Sequence, residues 1–199
     1  MRTPSRAEID EARNWCDRWC ERCPLADRCS IGRSAGVASS RPAMVEVAAS
    51  LERALEMLEV EFAKRGLDIE EAEPPVVSEG TDELAERPLF WTHACAAWLE
   101  TAPAGEASVV VGWYHTLVPT KLHRASSSRA LGSGDDAAGS AKVVSLGLAS
   151  VVDALTSHCQ RAPHDSAGLA LLTEAGALME AVEERFPDHL SFRRPGFDP

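Results

Sequence analysis

Apolar residues recur at steps of three and four through most of this chain, and that period limits what it can fold into more than any motif does. Met44, Ala48, Leu51, Leu55, Leu58 and Phe62 form one stripe, opened by Pro42 and closed by Gly66. Leu84, Pro88, Trp91, Cys95, Trp98 and Ala102 form a second, with Thr81 or Asp82 placed to cap it. Val144, Leu148, Val151 and Leu155 mark a third, after a Ser/Gly/Asp loop at 126–137. Leu172, Ala175, Met179, Val182 and Phe186 mark the last, which Pro187 stops. The run at 108–125 is ambiguous, since VVVGWY suits a strand while Trp113, Leu117 and Arg124 share a helical face. With no partner strand evident, helix is the better reading, kinked at Pro119. Helix following helix predicts an all-α fold: an antiparallel bundle of four or five helices over residues 42–190, with a tail at 191–199.

The N-terminal residues follow a different logic. Ser5 and Glu8 stand in capping-box order, and the chain then reads as a polar helix as far as Pro24. Within it and just beyond lie Cys16, Cys20, Cys23 and Cys29, spaced C-x3-C-x2-C-x5-C. Four thiolates so close in sequence predict a metal-binding head over residues 1–29, holding either a tetrahedral Zn2+ or a [4Fe–4S] cluster. On a regular helix Cys16 and Cys23 are separated by ~10 Å along the axis, too far to share one zinc at ~2.3 Å each unless the helix breaks before Pro24. The uneven gaps and that span favour the larger cluster. A Gly/Ser-rich stretch at 30–41 reads as a flexible linker that lets the head move relative to the bundle.

Three resemblances bear on the head. The segment CERCPLADRC resembles the end of the iron–sulfur loop of helix-hairpin-helix DNA glycosylases, which implies a [4Fe–4S] cluster on these cysteines; the longer first gap, the hairpin and the catalytic aspartate of that family are missing. Cys16-x3-Cys20-x2-Cys23 has the spacing of radical S-adenosylmethionine enzymes, but Arg22 stands where they usually carry an aromatic residue, and no βα repeat follows. As a whole the chain is similar to bacterial helical proteins that pair an N-terminal W-C-E-R-C tetracysteine segment with a body segment like GSAKVVSLGL, a group with no activity to carry over.

Charge narrows the function classes. Of the net −11, residues 42–86 supply −10, with thirteen acids against Arg53, Lys64 and Arg65. An acidic body argues against extensive nucleic-acid binding. The interval 107–134 holds no acid but carries Lys121, Arg124 and Arg129, which leaves room for a small-anion contact. The charged N-terminus has no apolar signal segment, and no unbroken apolar run of ~18 residues occurs, so a cytoplasmic protein away from membranes is expected. That compartment argues against disulfides. Cys95 and Cys159 fall on apolar stripes and read as core thiols. GSGDDAAGSAK lacks the order of a phosphate loop, and Asp135 or Asp136 reads as a helix cap.

Three functions remain on this reading. The first is a non-catalytic metal-binding or regulatory module whose bundle docks a protein partner or dimerises. The second is an iron–sulfur redox, electron-transfer or sensor protein. The third is an enzyme with its site among His93, Glu100, His115 and Lys121 in the bundle.

Overall fold

The computed structural model describes residues 4–35, 55–60, 62–64, 66 and 83–198. Six α-helices are delimited among them: α1 (Arg6–Ala12), α2 (Ser30–Ala35), α3 (Glu83–Thr101), α4 (Glu106–Ala130), α5 (Gly134–Arg161) and α6 (Ser166–Arg185). With the helical residues at 55–60 and 62–64 this makes seven among the described residues, with no strand, so the fold is all-α but exceeds the four or five helices expected. Three 3-10 turns, Arg13–Trp15, Cys20–Arg22 and His189–Ser191, complete the described elements. The first half of the stripe over 42–66 and the linker beyond residue 35 lie outside the described residues.

The bundle is α3 to α6, joined by connections of three or four residues that make each helix antiparallel to the next. Trp91, Cys95 and Trp98 of α3 face inward, as their spacing predicted. The ambiguous run is helix throughout α4, and both Pro88 and Pro119 lie inside helices. The loop expected at 126–137 shrinks to 131–133. Asp135 and Asp136 fall in the first turn of α5 after the N-cap Ser133, and Asp136 spends its carboxylate on Arg124 and Ser128 instead of a cap. On α6 the fully buried positions are Leu171, Ala175, Leu178 and Val182, with Leu172 and Met179 at the margin of the core.

The middle of the molecule is α5, apolar and long enough to cross a membrane by length and composition, yet with 61% of that window buried against the rest of the protein. The segment GSAKVVSLGL shows how it is used. Gly139 takes the Trp15 indole so closely that a Cβ there would collide with it, and at Gly147 a Cβ would stand 2.7 Å from the Tyr114 ring. Between the two, Lys142 donates to the Phe192 carbonyl at 2.6 Å, and Ser145 meets buried His189 Nε2 at 2.7 Å. One stretch of helix therefore receives the head, α4 and the C-terminal tail at successive turns.

α6 begins at a built cap. Asp165 accepts from Gly168 N–H at 2.9 Å, and its other oxygen accepts from Trp98 Nε1 and meets His158 Nε2, at 2.9 and 2.8 Å. The Gly168 amide first, then the Trp98 indole, hold this carboxyl below the usual carboxylate range against the effect of burial.

Candidate functional site

The polar helix expected over residues 5–23 ends at Ala12. Its capping box forms: Ser5 Oγ accepts from Glu8 N–H and Glu8 Oε2 from Ser5 N–H. The chain then tightens into the turn Arg13–Trp15, runs extended at Cys16, reaches φ 61° at Arg18, and tightens again at Cys20–Arg22 before extending at Cys23. Arg18 is in the left-handed region without being glycine, a conformation that costs about 1 kcal/mol. It turns the chain between two cysteines.

These breaks remove the common helical face on which Cys16, Cys20 and Cys23 were placed. The Cys16 thiol donates to Arg13 O at 3.5 Å, and Cys23 Sγ accepts from Leu25 N–H at 3.4 Å, so each is tied to its own stretch of backbone. Among the described residues no group of three or more Cys, His, Asp or Glu side chains is arranged to hold a metal ion. Cys16, Cys20, Cys23 and Cys29 therefore do not form the expected centre, whether Zn2+ or [4Fe–4S] cluster. The metal-binding module, the iron–sulfur redox or sensor protein and the likeness to tetracysteine helical proteins are corrected with it.

What the four cysteines share is a cavity. All four line one apolar pocket, together with Ile9, Ala12, Leu25, Ile31 and Phe197. All are free thiols, partly exposed. Burial pushes the Cys20 thiol above the ordinary value, and negative charge on Cys16, Cys23 or Cys29 would push it further. Burial likewise raises Cys23, partly offset by the Leu25 N–H. Both shifts favour the protonated thiol at Cys20 and Cys23.

Asp17 and Trp19, between Cys16 and Cys20, fasten the head to α4, with Asn14 and Arg22 beside them. Asp17 Oδ2 accepts from Tyr114 Oη at 2.8 Å, its carbonyl accepts from Trp113 Nε1 at 3.0 Å, and its Oδ1 accepts from Trp19 N–H at 3.1 Å. Trp19 stacks on Trp113 with centroids 5.1 Å apart and an interplanar angle of 19°. Arg22 lies over Trp19 at 4.0 Å and pairs with Glu106 at 3.2 Å. Lys121, buried in α4, reaches Asn14 O at 2.9 Å, its ammonium disfavoured by burial and by Arg124 and Arg18 nearby. Nothing in the cysteine spacing announced Asp17, Tyr114 or Phe197.

The other candidates are not brought together. His93 and Glu100 lie on the outward face of α3, His115 Nδ1 meets Gly112 O in its own helix at 2.7 Å, and Lys121 points into the head. The cations of 107–134 each have an internal partner: Lys121 the Asn14 carbonyl, Arg124 Asp136, and Arg129 the Arg185 carbonyl. Cys95 and Cys159 are buried, and burial pushes the Cys95 thiol up to about 12. Sequence reasoning passed over His189, which is 1% exposed and pairs with Ser145 inside the core.

No protein-family model matches this chain, and no curated protein or solved structure does.

Proposed function

We propose that this protein is a thiol-based redox-responsive module whose pocket cysteines interconvert with disulfides by exchange. The observation that carries the reading is that four free, partly exposed thiols line one apolar pocket. Cys20 and Cys23 are the first pair. They bracket a 3-10 turn closed by Cys23 N–H to Cys20 O at 3.2 Å. In such a turn side chains three apart eclipse one another after a rise of ~6 Å, within the ~4.4–6.8 Å that disulfide-linked Cα atoms span.

The chemistry is thiol–disulfide exchange with a small external disulfide. One cysteine loses its proton to solvent and its thiolate attacks a sulfur of the external disulfide, forming a mixed disulfide and expelling one small thiolate. The second cysteine, also deprotonated, attacks the protein-bound sulfur, closes the intramolecular bond and expels the other. Two protein thiols are oxidised and one external disulfide is reduced to two thiols. Raised thiol values keep this slow at neutral pH, so the rate follows the thiolate fraction and climbs about tenfold per pH unit from pH 7 to 8.5.

The test is incubation with oxidised glutathione followed by intact mass and peptide mapping. The expected product has lost two hydrogens and links Cys20 to Cys23, and Cys20→Ser or Cys23→Ser stops at a stable mixed disulfide. A protein that keeps all four pocket thiols free under these conditions would refute the reading.

A further inference from the structure

Phe197 stands in the wall of the thiol pocket although it is 168 residues beyond Cys29 in sequence. A compact clip holds it there. Phe197 N–H and Asp198 N–H both donate to Arg194 O at 3.1 Å, and Gly196 supplies the left-handed φ of 79° that the turn requires. The Asp198 carboxylate accepts from Arg194 N–H at 2.9 Å, from the Arg194 guanidinium at 3.0 Å, and from Lys142 Nζ of α5 at 2.7 Å. Lys142 also holds the Phe192 carbonyl, and the Arg194 guanidinium lies 5.0 Å over the Phe197 ring. On the pocket side, a Cβ built on Gly196 would stand 3.4 Å from Leu25 and 3.7 Å from Ala12, so the clip is seated on the head.

We propose that this C-terminal clip is a gate over the thiol pocket, and that Phe197 is the residue that decides how large a thiol-reactive molecule can enter. The proposal rests on the thiol reading above for its biological sense, and the geometry gives it a consequence of its own. The Lys142 ammonium anchors the clip to α5, and the Phe197 ring lines the pocket that the four cysteines line. Freeing the anchor or removing the ring enlarges the entrance without altering any cysteine. An apolar lining with Phe197 in its wall favours small, uncharged reagents over bulky ones, which is a specificity for the class of partner that exchanges with the pocket.

The experiment compares alkylation of the full-length reduced protein by iodoacetamide and by fluorescein maleimide, with each cysteine quantified by peptide mass spectrometry. Phe197→Ala and Asp198→Asn are expected to raise the fluorescein maleimide rate at the pocket cysteines about tenfold, and the iodoacetamide rate less than threefold. Phe197→Leu, which refills the apolar volume, is expected to return the rate toward that of the native chain. Cys95 and Cys159 stay unmodified throughout and report on the integrity of the core. Equal bulky-reagent rates in the native chain and Phe197→Ala overturn the gate, as does labelling of Cys95 and Cys159 in parallel, which reports general loosening. Because alkylation needs no disulfide, the gate can stand while exchange with glutathione fails, and disulfides can form while the gate falls.

Discussion

Gly139 shows how much a single hydrogen atom decides in this molecule. Its missing side chain lets the Trp15 indole lie against α5, where it meets Phe192 edge-on at 5.1 Å, and Trp15 Nε1 has no hydrogen-bond partner there. Shape therefore holds this tryptophan. Gly139→Ala puts a methyl group into the ring, and overpacking of a fitted site costs about 1–3 kcal/mol. Helix propensity works the other way, since alanine is better than glycine in a helix interior by about 1 kcal/mol. Overpacking is expected to win, with net destabilisation of about 1–2 kcal/mol in urea unfolding. An unchanged or raised midpoint would mean that Trp15 has room to retreat. Arg18 is the opposite case, a side chain where none is wanted. Arg18→Gly removes the penalty of its left-handed φ and is expected to stabilise the reduced protein by up to about 1 kcal/mol, visible as a higher thermal midpoint.

Among the elements, the decisive one is the short extended segment that docks the head on α4. Its gains outweigh its strain: a stacked tryptophan pair contributes about 0.5–1.5 kcal/mol, and each hydrogen bond about 1 kcal/mol, more where the acceptor is a carboxylate. Against roughly 1 kcal/mol at Arg18, the Asp17 and Trp19 contacts leave a clear surplus. Tyr114→Phe removes the donor to Asp17 and is expected to cost about 1.5 kcal/mol in urea unfolding, while leaving the helical circular dichroism intact. No loss would show that water replaces the phenol without penalty. α3 and α5 were legible because each carries a stripe of its own, and Trp91, Cys95, Trp98, Val144, Leu148, Val151 and Leu155 are buried where the period placed them, whereas α6 buries Leu171 and Leu178 beside the expected Leu172 and Met179 and the run in α4 suited a strand as well. The thiol site was legible only as a list of cysteines. Helical phase at Cys16, Cys20 and Cys23 depends on an unbroken helix, and the breaks at Arg13–Trp15 and Arg18 come from contacts with Trp113, Tyr114 and Gly139, which lie about a hundred residues away. Spacing in sequence carries no record of such partners, and neither does the placement of Phe197.

For the molecule as a whole, α5 and the tail are connected through one carboxylate, and that makes acid stability a reading of how they are joined. Burial opposes ionisation of Asp198, but hydrogen bonds from Arg194 and Lys142 prevail and hold its carboxyl well below the usual carboxylate range. Asp136, fixed by Arg124, and Asp165, fixed by the Gly168 amide and the Trp98 indole, are shifted the same way. A carboxyl with a depressed folded-state value contributes stability that is fully present above its unfolded value of about 3.9 and lost as the pH falls toward the folded one. Stability is therefore expected to be flat from about pH 5 to 7 in these terms and to fall below about pH 4. In Asp198→Asn the fall is expected to be shallower, because one proton fewer is taken up on unfolding, and the protein is less stable at neutral pH, where the native carboxylate acts. Urea midpoints measured from pH 3 to 7 on both proteins check this directly. Parallel curves would mean that the clip adds nothing to folding, whereas converging curves at low pH would assign the difference to the anchor that seats Phe197 over the thiols.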